Sequence, residues 1–83
     1  MNKTVLITGA SKGIGLMLAK KFLEKGFKVI GTSTSGKIEG IVNENFKVLQ
    51  LDLSDFKSIE TLKKTIDEKG TIIDILLNNA GVG

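Results

Sequence analysis

The chain reads as an α/β domain built on a partial, doubly wound parallel sheet with strand order 3-2-1-4. Three observations predict it. Four short runs rich in β-branched and other apolar residues begin at residues 4, 27, 46 and 72. Two segments with helical periodicity lie among them, and a glycine-rich turn, GASKGIG at 9–15, joins the first strand to the first helix. Parallel neighbours need crossovers, which are nearly always right-handed, so the first three strands fall in the order 3-2-1 and the fourth is added beside the first.

Each element has its own signal. Residues 4–8, TVLIT, form the short β-branched run of a strand buried on both faces. From Ile14 to Lys25, the residues Ile14, Met17, Leu18 and Phe22, with Leu23, recur at helical spacing. Lys20, Lys21 and Lys25 crowd the carboxyl half of that helix and Gly26 caps it. FKVIGTS (27–33) is the second strand. The next stretch holds two glycines and little periodicity, and a short helix is expected around 37–44. FKVLQLDL (46–53) is the third strand. Ser54 is the expected cap of a second helix whose Phe56, Ile59, Leu62 and Ile66 share one face up to Gly70. IIDILLN (72–78), apolar on both faces, is the fourth strand.

Composition narrows the function classes. The 83 residues suffice for one domain, which buries only about 60–65% of the surface its unfolded chain exposes. An apolar fraction of 41% with 25% charged residues belongs to an ordinary globular chain. No run approaches the roughly 18 apolar residues of a spanning helix, and the apolar start ends at once in the glycine turn, unlike a secretory signal, so no membrane partner is expected. Without Cys or His there are no disulfides and no usual zinc ligand set, and a cytoplasmic location is the default expectation. All twelve basic residues are Lys, interleaved with nine acids to a net charge of +3. With no Arg, Tyr or Trp for base reading or stacking, this is a solvated face rather than a nucleic-acid groove.

The predicted topology brings three stretches to the carboxyl edge of the sheet: the glycine turn, the Asp52-Leu53 pair, and Asn78, Asn79, Ala80 and Gly81. Main-chain amides at a helix start carry partial positive charge and lack intrahelical partners, so a diphosphate placed there finds donors already aimed at it. Gly9 allows the sharp exit from the strand, Gly13 a close approach of ligand to backbone, and Gly15 close packing of helix on sheet. The alternative is that three glycines merely make a tight turn. Gly-Lys-Ser/Thr is absent, which excludes a nucleoside-triphosphatase phosphate loop. Asp52 alternatively just precedes a helix cap, and the Asn pair alternatively ties strand ends together; both kinds of role are compatible.

Thr8-Gly9-Ala10-Ser11-Lys12-Gly13-Ile14-Gly15 together with Asn78-Asn79-Ala80-Gly81 resembles the short-chain dehydrogenase/reductase family, and VIGTSTS (29–35) resembles its 3-oxoacyl-acyl-carrier-protein reductase branch. The resemblance spans nearly the whole chain. It implies the cofactor-binding front of a Rossmann-type domain, lacking the carboxyl-terminal half. It also implies that Gly9, Ser11, Lys12 and Ile14 meet the phosphates and ribose, with Ala10, Gly13 and Gly15 part of the same cofactor-binding turn, that Asp52 and Leu53 border adenine, and that Asn79, Ala80 and Gly81 line the adenosine ribose side toward nicotinamide.

No acid ends the second strand, where an NAD site places a carboxylate on the ribose 2′-hydroxyl. Thr32, Ser33, Thr34 and Ser35 stand there instead. A 2′-phosphate wants donors and a cation. Lys12 is that cation by resemblance, assisted by Ser33 and Thr34, so NADP is expected in preference to NAD; an exposed loop lysine is the alternative for Lys12. The family's proton donor is a Tyr followed four residues later by a Lys, with a Ser and an Asn, and this chain contains no Tyr. Three expectations stand side by side: part of an NADP-dependent reductase that is inactive alone, a stand-alone nucleotide-binding or regulatory module, and a structural, self-associating fragment. The fourth strand, left at a sheet edge, is the expected surface for self-pairing or for a missing second half.

Overall fold

The computed structural model describes residues 3–80. The elements run β1 (Thr4–Ile7), α1 (Gly13–Glu24), β2 (Lys28–Ser33), β3 (Phe46–Gln50), α2 (Phe56–Glu68) and β4 (Ile75–Leu77). All three strand pairings are parallel and the sheet order is β3-β2-β1-β4, as the crossover rule requires.

Register decides which side chains share a face. Val5 lies opposite Val29 and Ile75, and Val29 opposite Phe46, so these four line one face, followed two residues on by Ile7, Gly31 and Leu77. Val5, Ile7, Val29, Ala10 and Ala19 form the buried centre of the core, with Leu18, Phe22, Leu23 and Phe27 packed against it from α1 and its exit. Crossovers β1→β2 and β3→β4 run in opposite directions along the sheet, so two right-handed connections place α1 and α2 on opposite faces. α2 packs chiefly against β3 and has no buried residue.

Both helices stop by the same device. At the end of α1 the Phe27 N–H donates to Phe22 O and the Gly26 N–H to Leu23 O, each at 3.0 Å, pairing orphan carbonyls of the last turn. The rings of Phe22 and Phe27 meet edge to face at 5.0 Å, the apolar contact that accompanies this motif. Thr71 and Gly70 repeat the pattern on Ile66 and Asp67 at the end of α2.

Three expectations are corrected. No helix forms over 37–44: Gly36 and Gly40 sit at φ 78° and 92°, outside helical backbone, while Ile38 and Ile41 are drawn onto the core and the Ser33 hydroxyl holds the Lys37 carbonyl at 2.9 Å. Asp55, not Ser54, caps α2, its carboxylate accepting from the Lys57 N–H at 3.0 Å, because the Ser54 hydroxyl is taken by Asp52 at 2.6 Å. The helical spacing of 14–25 gives α1, whose inward stripe is Gly15, Leu18, Ala19 and Phe22, with Ile14 and Met17 63% and 54% exposed. β4 is shorter than 72–78; it lies at the sheet edge as expected, where Leu76 is 62% exposed. Asp74 immediately precedes it, accepting the Thr4 N–H on its carboxylate at 2.8 Å and donating its own N–H to Thr4 O at 3.0 Å.

Candidate functional site at the carboxyl edge of the sheet

The turn after β1 is held from both sides. From β2, the Thr32 hydroxyl accepts the Gly9 N–H at 3.1 Å and the Thr32 carbonyl accepts the Ala10 N–H at 2.9 Å. From the turn after β4, the Asn79 side-chain amide donates to Gly9 O at 3.0 Å. The Ala80 N–H donates to the Thr8 hydroxyl at 3.0 Å, and that hydroxyl donates to the Asn78 side-chain oxygen at 3.2 Å. Thr8 and Thr32 are buried, so each bond spares a shielded polar group from going unpaired.

This bracketing decides which amides face solvent. Gly9 and Ala10 have spent their N–H groups on Thr32 and offer none to a ligand. The N–H groups of Ser11, Lys12, Gly13, Ile14 and Gly15 have no protein acceptor among the described residues; the ladder of α1 begins with Leu16 N–H on Lys12 O. Lys12, the N-cap, makes no side-chain cap bond, and no acid stands in the first turn. Helix starts are ordinarily closed by a Ser, Thr, Asp or Asn side chain. Five amides at the positive end of the helix dipole are therefore without a protein partner among the described residues, those of Ser11, Lys12, Gly13 and Ile14 on exposed residues and that of Gly15 on a buried one.

The glycines fit that use in different ways. Gly13 has φ 61° and open space where a Cβ would stand, so its backbone can be approached closely from outside. A Cβ on Gly15 would lie 2.1 Å from Gly9 O and 2.7 Å from the Asn79 side-chain nitrogen. Gly15 is thus where α1 is driven against the bracket. Gly9 packs its own missing side chain against Ala80, where a Cβ would come within 3.1 Å of Ala80 Cα.

The remaining candidates divide. Ser11, Lys12 and Ile14 are exposed beside the amides. Ser33 is buried with its hydroxyl on Lys37 O; Thr34 is exposed, its carbonyl accepting the Gln50 side-chain amide at 3.0 Å. Asp52 forms a closed turn, accepting the hydroxyl and the N–H of Ser54 on one carboxylate oxygen, and these two bonds hold its carboxyl below the ordinary range against a small opposing effect of burial. Leu53 is half exposed, Asn79 and Ala80 half-buried, and Gly81 lies outside the described residues. Sequence reasoning missed Thr32 and Thr8 as anchors of the loop, although each is a hydroxyl at the end of an inner strand beside a glycine turn.

A concavity of about 740 Å³ opens at the opposite, amino edge of the sheet, between Lys3, Lys28, Lys47 and Lys69. It is an open groove on the rim; the carboxyl edge is instead marked by main-chain amides without a protein acceptor among the described residues.

A parallel sheet whose order reverses beside β1, with an uncapped glycine-lined helix start at the reversal, is a Rossmann-type architecture, and residues that bind nucleotides in that class lie at this point. The family model for short chain dehydrogenases matches residues 3–83, and the chain belongs to that family. It is 46% identical over 84 residues to 3-oxoacyl-acyl-carrier-protein reductase FabG of Vibrio harveyi, covering 96% of this chain and 34% of that protein. It is 42% identical to an uncharacterized oxidoreductase of Schizosaccharomyces pombe, covering 96% and 27%. A short chain dehydrogenase of Leptospira borgpetersenii, solved with bound NAD+, superposes with a TM-score of 0.88 at 30% identity over 99% of this chain and 32% of that one. The chain spans about a third of the length of the curated reductases it matches.

Proposed function

We propose that this chain binds a nicotinamide dinucleotide, NADP in preference to NAD, as the amino-terminal cofactor-binding portion of an oxidoreductase that interconverts a carbonyl and an alcohol. One observation supports the proposal above the others: the main-chain N–H groups of residues 11–15, at the start of α1, have no protein acceptor among the described residues. The dinucleotide complex of the Leptospira borgpetersenii relative supports it, and the names of the related reductases point to a 3-oxoacyl thioester as substrate class.

When bound, the dinucleotide supplies the hydride. The chain's own residues bind and orient it. Amides 11–15 hold the diphosphate, with Gly13 admitting it close to the backbone. The free oxygen of Asp52 and the Leu53 backbone border adenine, and Asn79, Ala80 and Gly81 flank the route to nicotinamide. Lys12, exposed beside the loop, and Thr34, exposed at the end of β2, supply charge and hydroxyl to a 2′-phosphate; Ser33, whose hydroxyl proton goes to Lys37 O, has only acceptor capacity left and shapes the floor. No Tyr is present, so these 83 residues furnish no phenolic proton donor and we assign them no turnover of their own.

Calorimetric titration of NADP and NAD into the parent chain and into Gly13→Val tests the assignment. Saturable binding that the substitution abolishes is the expected result. Equal affinity in parent and variant removes the glycine loop from the account.

A second reading concerns assembly. β4 is paired to β1 on one side only among the described residues, and its Leu76 is 62% exposed. An unpaired edge of apolar residues is a template for another strand. We propose that isolated chains self-associate through β4, or pair there with a segment supplying the rest of the sheet.

A further inference from the structure

We propose that Thr32 is a positioning residue for the phosphate loop, setting affinity for the dinucleotide through Gly9 without touching the ligand; the proposal rests on the cofactor assignment above. Both polar groups of the Gly9 backbone are held by side chains, and the two come from opposite neighbours of β1. The Thr32 hydroxyl of β2 takes the N–H at 3.1 Å, and the Asn79 amide after β4 takes the carbonyl from the other side at 3.0 Å. Gly9 itself sits at φ 67°, a conformation it leaves readily unless held.

The neighbouring contact is of a different kind. Ala10 N–H is held by the Thr32 backbone carbonyl, which no substitution removes. The hydroxyl is thus the side-chain part of the β2 grip. Thr32 is 1% exposed, so no water replaces it easily, and an unpaired Gly9 N–H would turn to seek another acceptor. Turning that peptide shifts the start of the run 11–15 and disperses amides that must converge on one diphosphate.

The proposal separates from 2′-selectivity. The diphosphate is common to both cofactors, so loss of the Thr32 hydroxyl weakens NADP and NAD alike, whereas groups that read the 2′ position change NADP alone.

The experiment compares the parent with Thr32→Val, which keeps the shape without the hydroxyl, and Thr32→Ser, which keeps the hydroxyl. Thr32→Ala is the second deletion variant, held to the same criteria if Val fails to fold. Affinities for both cofactors are taken by calorimetry well below the melting temperature, and Gly9 amide exchange is followed by NMR. The expected result is about tenfold weaker binding of both cofactors to the hydroxyl-free variant, faster Gly9 exchange, and recovery of both in Thr32→Ser. A folded hydroxyl-free variant that binds both cofactors like the parent overturns the proposal, as does a loss confined to NADP. A parent that binds neither cofactor overturns the cofactor assignment first, and is seen before any variant is made.

Discussion

The side-chain nitrogen of Asn79 stands 3.0 Å from the carbonyl oxygen of Gly9, in a space that stays open only because residue 15 has no Cβ. Strand end, glycine turn and helix start therefore meet at one point, and the helix is seated by what it lacks.

Gly15→Ala should expose that dependence. Its Cβ would overlap Gly9 O and crowd the Asn79 amide, neither of which can move without undoing the other. We expect a loss of about 3 kcal/mol or more in denaturant unfolding, a large part of the stability of so small a domain. Gly13→Ala meets nothing within 4 Å and suffers only its left-handed backbone, about 1–2 kcal/mol. Equal losses in the two variants would contradict the packing role of Gly15.

Lys12→Glu tests the choice of cofactor. Reversing an exposed charge beside the loop should weaken NADP about tenfold or more while NAD changes less, because only NADP carries the additional phosphate. Calorimetry with both cofactors gives the ratio. An unchanged preference would take Lys12 out of the 2′ site.

Asp52 gives the turn after β3 a pH dependence of known sign. The Ser54 hydroxyl and N–H favour the carboxylate, so the folded value lies below the value of about 3.9 for an unfolded Asp. Its stabilising contribution is complete above the unfolded value and is lost as pH falls through the folded one. Carbon-13 titration of Asp52 should show the lowered midpoint, and Ser54→Ala should move it upward. A midpoint indifferent to Ser54 would show that the turn is not closed in solution.

Leu76→Lys places a charge on the outer edge strand. Light scattering of the parent should rise with concentration above the monomer value, and the variant should return to it. A parent that stays monomeric at high concentration rules out pairing through β4.

Much of this architecture was legible in the sequence because parallel inner strands have no polar face to disguise them. TVLI and KVIGTS announce themselves, and the right-handed crossover rule then leaves one plausible order. The segment 34–45 was not legible. Its Ile38 and Ile41 have helix-like spacing, but they are two anchors of an irregular connection, and Gly36 and Gly40 bend between them. The cap of α2 was misplaced by one residue because Ser54 and Asp55 are both good caps, and the contest is settled by Asp52, which takes the serine hydroxyl. At the site, the glycine turn and the Asn-Ala stretch were visible as a pattern. Thr32 was not, since a strand-end threonine looks the same whether its hydroxyl meets water or the next loop.

The lopsided seating of the two helices has a kinetic consequence. α1 shares the core with β1 and β2, whereas α2 buries no residue and rests chiefly on β3. Detachment of α2 alone uncovers little, so it should open as a separate unit while the inner strands stay closed. Trypsin would then nick first at Lys57, Lys63 or Lys64, and the sheet would outlive the cut.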